Sequence, residues 1–441
     1  MRPITENRPD LFLLKVPVFV LLLIAAISLV RLIEVRFYYQ QGKHEQIVGN
    51  LTNALTIFEK TENRLPKRLG AWFVRQDRFR ISSAAGQTQY QAALENFRKT
   101  RDYAIFHETV ETAHASLVNA RKIDPKSYIN TYWLARAEHS LEQTHRLLYP
   151  HLENPYNAFD LYQSAMALRP SSHTVRHWFV KYLVFRRMPE RIPAVVENIL
   201  EIYPPAYRAL TKEPFFNNQL LAAARQGLEN ALKQNTLPAF ALRNLIDAAL
   251  ALDDLEGAIR YSRTLISITP RGGLPDALIR LGNLYITSGD HEKARQVFLQ
   301  ALETVRPSVA GPVLNRIYQI YRGAGLLDAF LGFSTSAEEQ NLESQALDMA
   351  VARCWLEKKQ PQLARARLMK LNSRKPHAPA YFMLADIARK EENWRQMELD
   401  SYQALQLDRD NKTYLRGLVT ALRKQGKKDH ALEFEQILKR K

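Results

Sequence analysis

A spacing that recurs along most of the chain constrains it more than any single motif. Alanine is followed four residues on by a large apolar residue, three after that by a small or apolar one, and five further by proline. Ala113, Leu117, Ala120 and Pro125 obey it, as do Ala158, Tyr162, Ala165, Pro170 and Ala364, Leu368, Leu371, Pro376. Ala258, Leu265 and Pro270 repeat it with Ser262 in the large-residue slot. Offsets of four and three put these residues on one helix face, and proline cannot continue the helix that carries them.

The fullest unit is Leu274–Pro307. Leu278, Leu281, Gly282 and Tyr285 mark a first helix, Gly289-Asp290 a turn, and Ala294, Phe298 and Ala301 a second helix. Gly282 and Ala294 are small where two antiparallel helices of one unit must approach, and Tyr285 and Phe298 fill the space between units. More degenerate steps of 34 residues run from Pro170 to Pro204 and from Ala385 to Val419. One such unit cannot bury its apolar face, but stacked units share a continuous core. With only 16 glycines in 441 residues and no alternating strand pattern, the composition suits helices and disfavours glycine-rich phosphate loops and tight-hairpin β folds.

These residues resemble the tetratricopeptide repeat, a helix–turn–helix unit of about 34 residues. The resemblance runs from about residue 96 to the end of the chain. It implies an all-α, TPR-type α-solenoid: a right-handed superhelix of helix pairs at 96–441, with degenerate repeats and insertions near 139–155 and 204–218. It also implies a groove lined by first helices that receives a partner's peptide or helix. Polar first-helix positions are then the candidate groove-binding residues: Arg243, Asn244, Arg280, Asn283, Asp386 and Arg389.

The amino-terminal part reads differently. Leu11 to Ile33 is apolar, with Val16–Val30 free of charge and Leu11–Leu14 extending it past Lys15. That predicts a 10-residue tail, a single transmembrane helix at 11–33 and a membrane-proximal helical linker at 34–95. A short basic segment before the apolar run is the layout of a signal anchor, which predicts a single-pass protein of a bacterial inner membrane with a periplasmic C-terminal domain. Within the linker, Arg64, Lys67, Arg68, Arg75, Arg78 and Arg80 interleave with Trp72 and Phe73 as a candidate membrane-surface patch for anionic lipid. Ser82–Thr88 (SSAAGQT) reads as a loop.

Motifs for chemistry are missing from the sequence. It holds no phosphate loop, nucleophile elbow, zinc-protease motif or kinase signature. His173 and His177 share a helix face but have no third ligand in view, and His139, His145 and His151 fall on different faces. The single cysteine, Cys354, sits beside Trp355 on a first helix and reads as an inert buried thiol. No catalytic residue, metal ligand or cofactor is expected. The net charge of +17 favours acidic partners.

Together these features predict a membrane-anchored scaffold that recruits or positions partner proteins at the cell envelope, by resemblance in polysaccharide assembly or export. The alternatives are a cytoplasm-facing anchored adaptor and a basic solenoid that binds an acidic polymer directly, with nucleic acid disfavoured.

Overall fold

Helices follow one another as antiparallel pairs, and the turns between them repeat at nearly the period of the sequence pattern. A computed structural model describes the backbone of residues 10–65, 71–306 and 309–440, and the side chains of 20–21, 23–65, 74–306 and 309–439. The chain divides into two compact units, Met1–Leu237 and Pro238–Lys441.

The second unit is the more regular. Its described helices are α11 (Pro238–Ala251), α12 (Leu255–Ile268), α13 (Leu274–Thr287), α14 (His291–Glu303), α15 (Gly311–Gly323) and α16 (Leu327–Glu339), then α17 (Gln345–Glu357), α18 (Pro361–Arg374), α19 (Ala378–Lys390), α20 (Trp394–Leu407), α21 (Lys412–Lys424) and α22 (Lys428–Arg440). Each odd-numbered helix packs on the even-numbered one that follows, and α13 meets α15, α15 meets α17 and α19 meets α21. First helices therefore lie beside first helices.

One residue in the left-handed region reverses the chain within each pair: Asp253, Gly289, Gly325, Lys359, Glu392 and Gly426. In three pairs the next residue caps the second helix, Asp254 accepting from the Gly257 amide (2.8 Å), Asp290 from Lys293 (3.1 Å) and Asn393 from Gln396 (3.1 Å). At Gly282 a Cβ would run into the Phe298 ring, so the absent side chain makes room for the ring of its own pair. Phe298 then meets Tyr321 and Phe333 of the next pair edge-on, at 5.4 and 6.3 Å between ring centres. The small and large positions of the sequence spacing do the work expected of them. Pro307 lies outside the described residues.

The first unit comprises α1 (Asp10–Ile47), α2 (Leu51–Arg64), α3 (Ala71–Thr100), α4 (Tyr103–Ile123), α5 (Tyr128–Leu148), α6 (Phe159–Leu168), α7 (His173–Phe185), α8 (Ile192–Ile202), the single turn α9 (Tyr207–Leu210) and α10 (Asn218–Lys233). The pairs α3/α4, α5/α6 and α7/α8 continue the motif, and α10 packs on α8. The extra residues after His139 lengthen α5 and then form the irregular segment 149–158.

Two expectations are corrected here. Ser82–Thr88 is the middle of helix α3, not a loop. Its small residues serve close packing: a Cβ at Gly86 would lie 2.7 Å from Leu117 Cγ and 3.1 Å from the Ala113 carbonyl of α4.

The second correction concerns the transmembrane helix at 11–33. Asp10–Ile47 is one helix, yet among the described residues no helix is long and apolar enough to cross a membrane. The side chains of 10–19 and 22 lie outside the described residues. Within the described part of the helix, Arg31, Glu34 and Arg36 interrupt the apolar run well before the ~20 residues that a ~30 Å hydrocarbon layer requires. Further along, one side of α1 packs on protein while Ile33 and Phe37 stay exposed. Val35 is buried with Leu65, Val74 and Ile81, and Leu32 and Tyr39 pack against that cluster. The single-pass placement in a bacterial inner membrane, both membrane-facing orientations and the envelope-anchored role fall with the span.

Three substitutions separate these packing constraints. Gly227→Ala drives a methyl into the Glu197 carbonyl of α8 and should cost about 1–3 kcal/mol. Gly289→Ala, at φ +78°, should cost about 1–2 kcal/mol. Gly332→Ala, in mid-α16 with nothing within 4 Å, should stabilise by about 0.5–1 kcal/mol. Urea unfolding of the three variants checks the order; a stable Gly227→Ala protein would refute the backbone contact.

Candidate functional site

Two places bring polar and aromatic side chains together, one in each unit.

In the second unit a cavity of about 780 Å³ opens where α15, α17 and the start of α19 adjoin. Gly311, Asn315, Met349 and His377 form part of its wall, and Arg353 and Lys375 supply its charge; no carboxylate lines it among the described residues. The helix starts explain the shape. Ser344 caps α17 through its hydroxyl, accepting from the Leu347 amide at 3.2 Å, and Pro312 and Pro379 occupy the first turns of α15 and α19, where a missing amide costs nothing. Two buried nitrogens here, Gln345 Nε2 and His377 Nδ1, have no hydrogen-bond partner. Burial, and then the Lys375 ammonium, lower the His377 pKa below its ordinary value, so the ring is neutral near pH 7. The cavity can receive an extended polar segment; it holds no arrangement for bond-making chemistry.

The six groove residues expected from sequence do not form one site. Asn244 is buried, and Arg243 and Asn283 are exposed on α11 and α13. Arg280 pairs with Asp247, tying α13 to α11. Arg389 pairs with Asp386 at 2.6 Å and Lys390 shares that carboxylate at 3.3 Å, which holds it below the usual carboxylate range despite burial. Asp386 and Arg389 do line a smaller cavity of about 210 Å³ with Thr413, Arg416 and Thr420 of α21.

In the first unit the exposed face of α5 meets that of α7. Arg136 lies with its guanidinium 3.8 Å from the centre of the Trp178 ring, 5.0 Å from Trp133, 5.2 Å from Tyr90 and 5.9 Å from Tyr132. Such contacts are worth about 0.5–2 kcal/mol each when partly desolvated. One turn below, the polar residues of α5 are buried. Glu142 is fully enclosed and receives Arg186 and Arg146, the latter at 3.0 Å. His139 shares a hydrogen bond with the Tyr162 hydroxyl at 3.3 Å and faces the rings of Tyr182 and Phe185. Burial and then the Arg136 charge push the His139 pKa down to about 3. Sequence reasoning missed Arg136 because Trp178 reads as core; the signal was the three- and four-residue spacing of Ile129, Trp133, Arg136 and Ser140 along one face.

The basic residues near the amino terminus make contacts within the protein. Arg64 pairs with Glu34 (3.4 Å) and lies over Tyr38 (4.5 Å), and Arg75 donates twice to the Ile123 carbonyl at the end of α4 (2.7 and 3.1 Å). Arg80 and Arg36 flank the buried Asp77, and Arg78 is half-buried. Lys67 and Arg68 and the side chains of Trp72 and Phe73 lie outside the described residues.

His173 stacks on Tyr203 at 4.1 Å and His177 reaches Glu213 at 3.3 Å. Among the described residues no group of three or more His, Cys, Asp or Glu could hold a metal ion. Cys354 is buried, its thiol donating to the Leu327 carbonyl (3.5 Å), and burial pushes its pKa up to about 11, far from a reactive thiolate.

The tetratricopeptide repeat family profile matches residues 275–304, within the fullest unit. No curated protein matches the chain. Among solved structures, a crystal structure of the P58(IPK) TPR domain is similar at 14% identity, covering 77% of this chain and 99% of that one, with a TM-score of 0.23. The human IFIT1 dimer with PPP-AAAA is similar at 14% identity, covering 90% and 81%, with a TM-score of 0.24. Superpositions this loose carry no weight for what the chain binds.

The buried imidazole makes stability depend on pH. His139 stays neutral in the folded chain down to about pH 3, whereas the unfolded chain takes up that proton below about 6.5. The unfolded state then holds more protons, so stability falls as pH falls through this window, by about 1.4 kcal/mol per unit. Between pH 7 and 5 the loss from this group should be about 2 kcal/mol. Urea unfolding at both values should show it, and His139→Gln should flatten the difference; an unchanged difference in the variant would assign the acid sensitivity elsewhere.

Proposed function

We propose that the chain is a scaffold that binds partner proteins, taking a peptide segment or helix of the partner against the exposed faces of its first helices. The observation that carries this reading is the 780 Å³ cavity of the second unit, built from the starts of first helices that adjoin one another. Side-by-side first helices leave a surface long enough for an extended segment, and cavities of this size take several side chains. The cavity's cations, Arg353 of α17 and Lys375 at the end of α18, and the neutral His377 ring at the start of α19 lie along it, so a segment laid from one pair to the next meets them in turn.

The second helices provide the control surface. A photo-crosslinking residue at Asn315 or Arg353 should give adducts with discrete proteins in the cells that express the chain. The same residue at Leu363 or Leu399, exposed on α18 and α20, should not. Equal adduct patterns from both faces would overturn the assignment.

A further inference from the structure

We infer that Arg136 of the first unit is the anchor of a second recognition surface, one that takes a carboxylate side chain from an acidic peptide segment of a partner. This goes beyond the cavity of the second unit and rests on different residues. The guanidinium is half-buried and enclosed on its faces by Trp178, Trp133, Tyr90 and Tyr132. Aromatic faces hold a cation in place, and the Tyr132 hydroxyl that accepts from Arg136 is a neutral acceptor, weaker than a carboxylate. Among the described residues no carboxylate lies within ion-pair distance of Arg136, and its Nε is buried without a hydrogen-bond partner.

Other arginines of the same two helices are satisfied. Arg146 and Arg186 converge on Glu142, and Arg176 donates to Asn198 and to the Ser172 carbonyl. Lys181 pairs with Glu213 at 2.9 Å, beside His177. A charge left without its counterion in a partly desolvated, aromatic setting is a group waiting for an anion from outside. Arginine, tryptophan and tyrosine are also the residue types enriched at interface hot spots.

The same census chooses the anion. A nucleic acid or other polyanion needs a row of open cations along its backbone and bare aromatic faces for its bases. Here the surrounding cations are neutralised by Glu142 and Glu213, and the Trp178 face is already occupied by Arg136. One preorganised guanidinium suits one carboxylate, with the aromatic rim for the aliphatic part of the same segment.

The full chain labelled with 5-fluorotryptophan tests this by fluorine NMR, since its five tryptophans (72, 133, 178, 355 and 394) give few resonances, assignable by single Trp→Phe changes. On titration with acetylated octaglutamate, the Trp133 and Trp178 resonances should move while Trp394 stays still. Arg136→Gln should weaken that binding about tenfold or more, and Arg136→Lys should fall between, keeping charge without the planar fork. Binding by Arg136→Gln equal to that of the parent overturns the proposal. So do unmoved Trp133 and Trp178 resonances in the parent chain, a readout that stands even if the variant fails to fold. Movement of Trp355 on α17 alone would place the peptide in the second unit, supporting the proposed function while refuting this surface. Stronger shifts of Trp133 and Trp178 with an oligothymidylate of equal length would refute the choice of a carboxylate.

Discussion

The fold depends on antiparallel helices coming close at points where a side chain is small or absent. Gly282 admits the Phe298 ring, Gly86 admits Leu117, and Gly227 touches the Glu197 backbone itself. Where helices approach this closely, a large residue from one pair can pass through to the next, as Phe298 does to Tyr321 and Phe333. The core is thereby passed from pair to pair rather than closed around a single centre, which is the energetic logic of repeat proteins. The left-handed residue at each reversal fixes the phase of the second helix, so that its small and large positions face the first.

The two units use polarity differently. In the second, cations and carboxylates mostly pair between neighbouring helices at the surface, as Arg280 does with Asp247, and such exposed pairs add little stability. In the first, Glu142, His139 and Arg136 follow one another along α5 from enclosed to half-buried. Glu142 is tolerable because two guanidinium groups reach it, and removing both would strand a buried charge at a cost of about 3–5 kcal/mol. His139 is tolerable because it gives up its proton. Arg136 has aromatic faces and the neutral Tyr132 hydroxyl but no carboxylate, and that difference among three neighbours sets it apart from a structural ion pair.

The helix pairs were legible because their determinants are local: four- and three-residue offsets, a proline, a glycine or Asx residue at the turn. The segment SSAAGQT was misread because small polar residues signal a loop when nothing packs on them and a close helix contact when something does; the partner, Leu117 of α4, lies about thirty residues away. The apolar run at 11–33 was misjudged by hydropathy alone, which counts residues such as Leu32 and Ile33 toward a span whether they face lipid or, as Leu32 does beside Val35, other helices. The six groove candidates lie on the first helices α11, α13 and α19, but sequence gives no view of whether Arg280 has Asp247 beside it.

The sequence by itself determined the class of the fold, the pairing of helices and the places where each pair reverses, because spacing and turn chemistry act within a few residues. Only the tertiary structure decided which charges are spent inside the protein and which are left over. Ion pairing depends on the distance between side chains from different helices, such as Lys181 of α7 and Glu213 beyond α9, and spacing along the chain does not encode that distance.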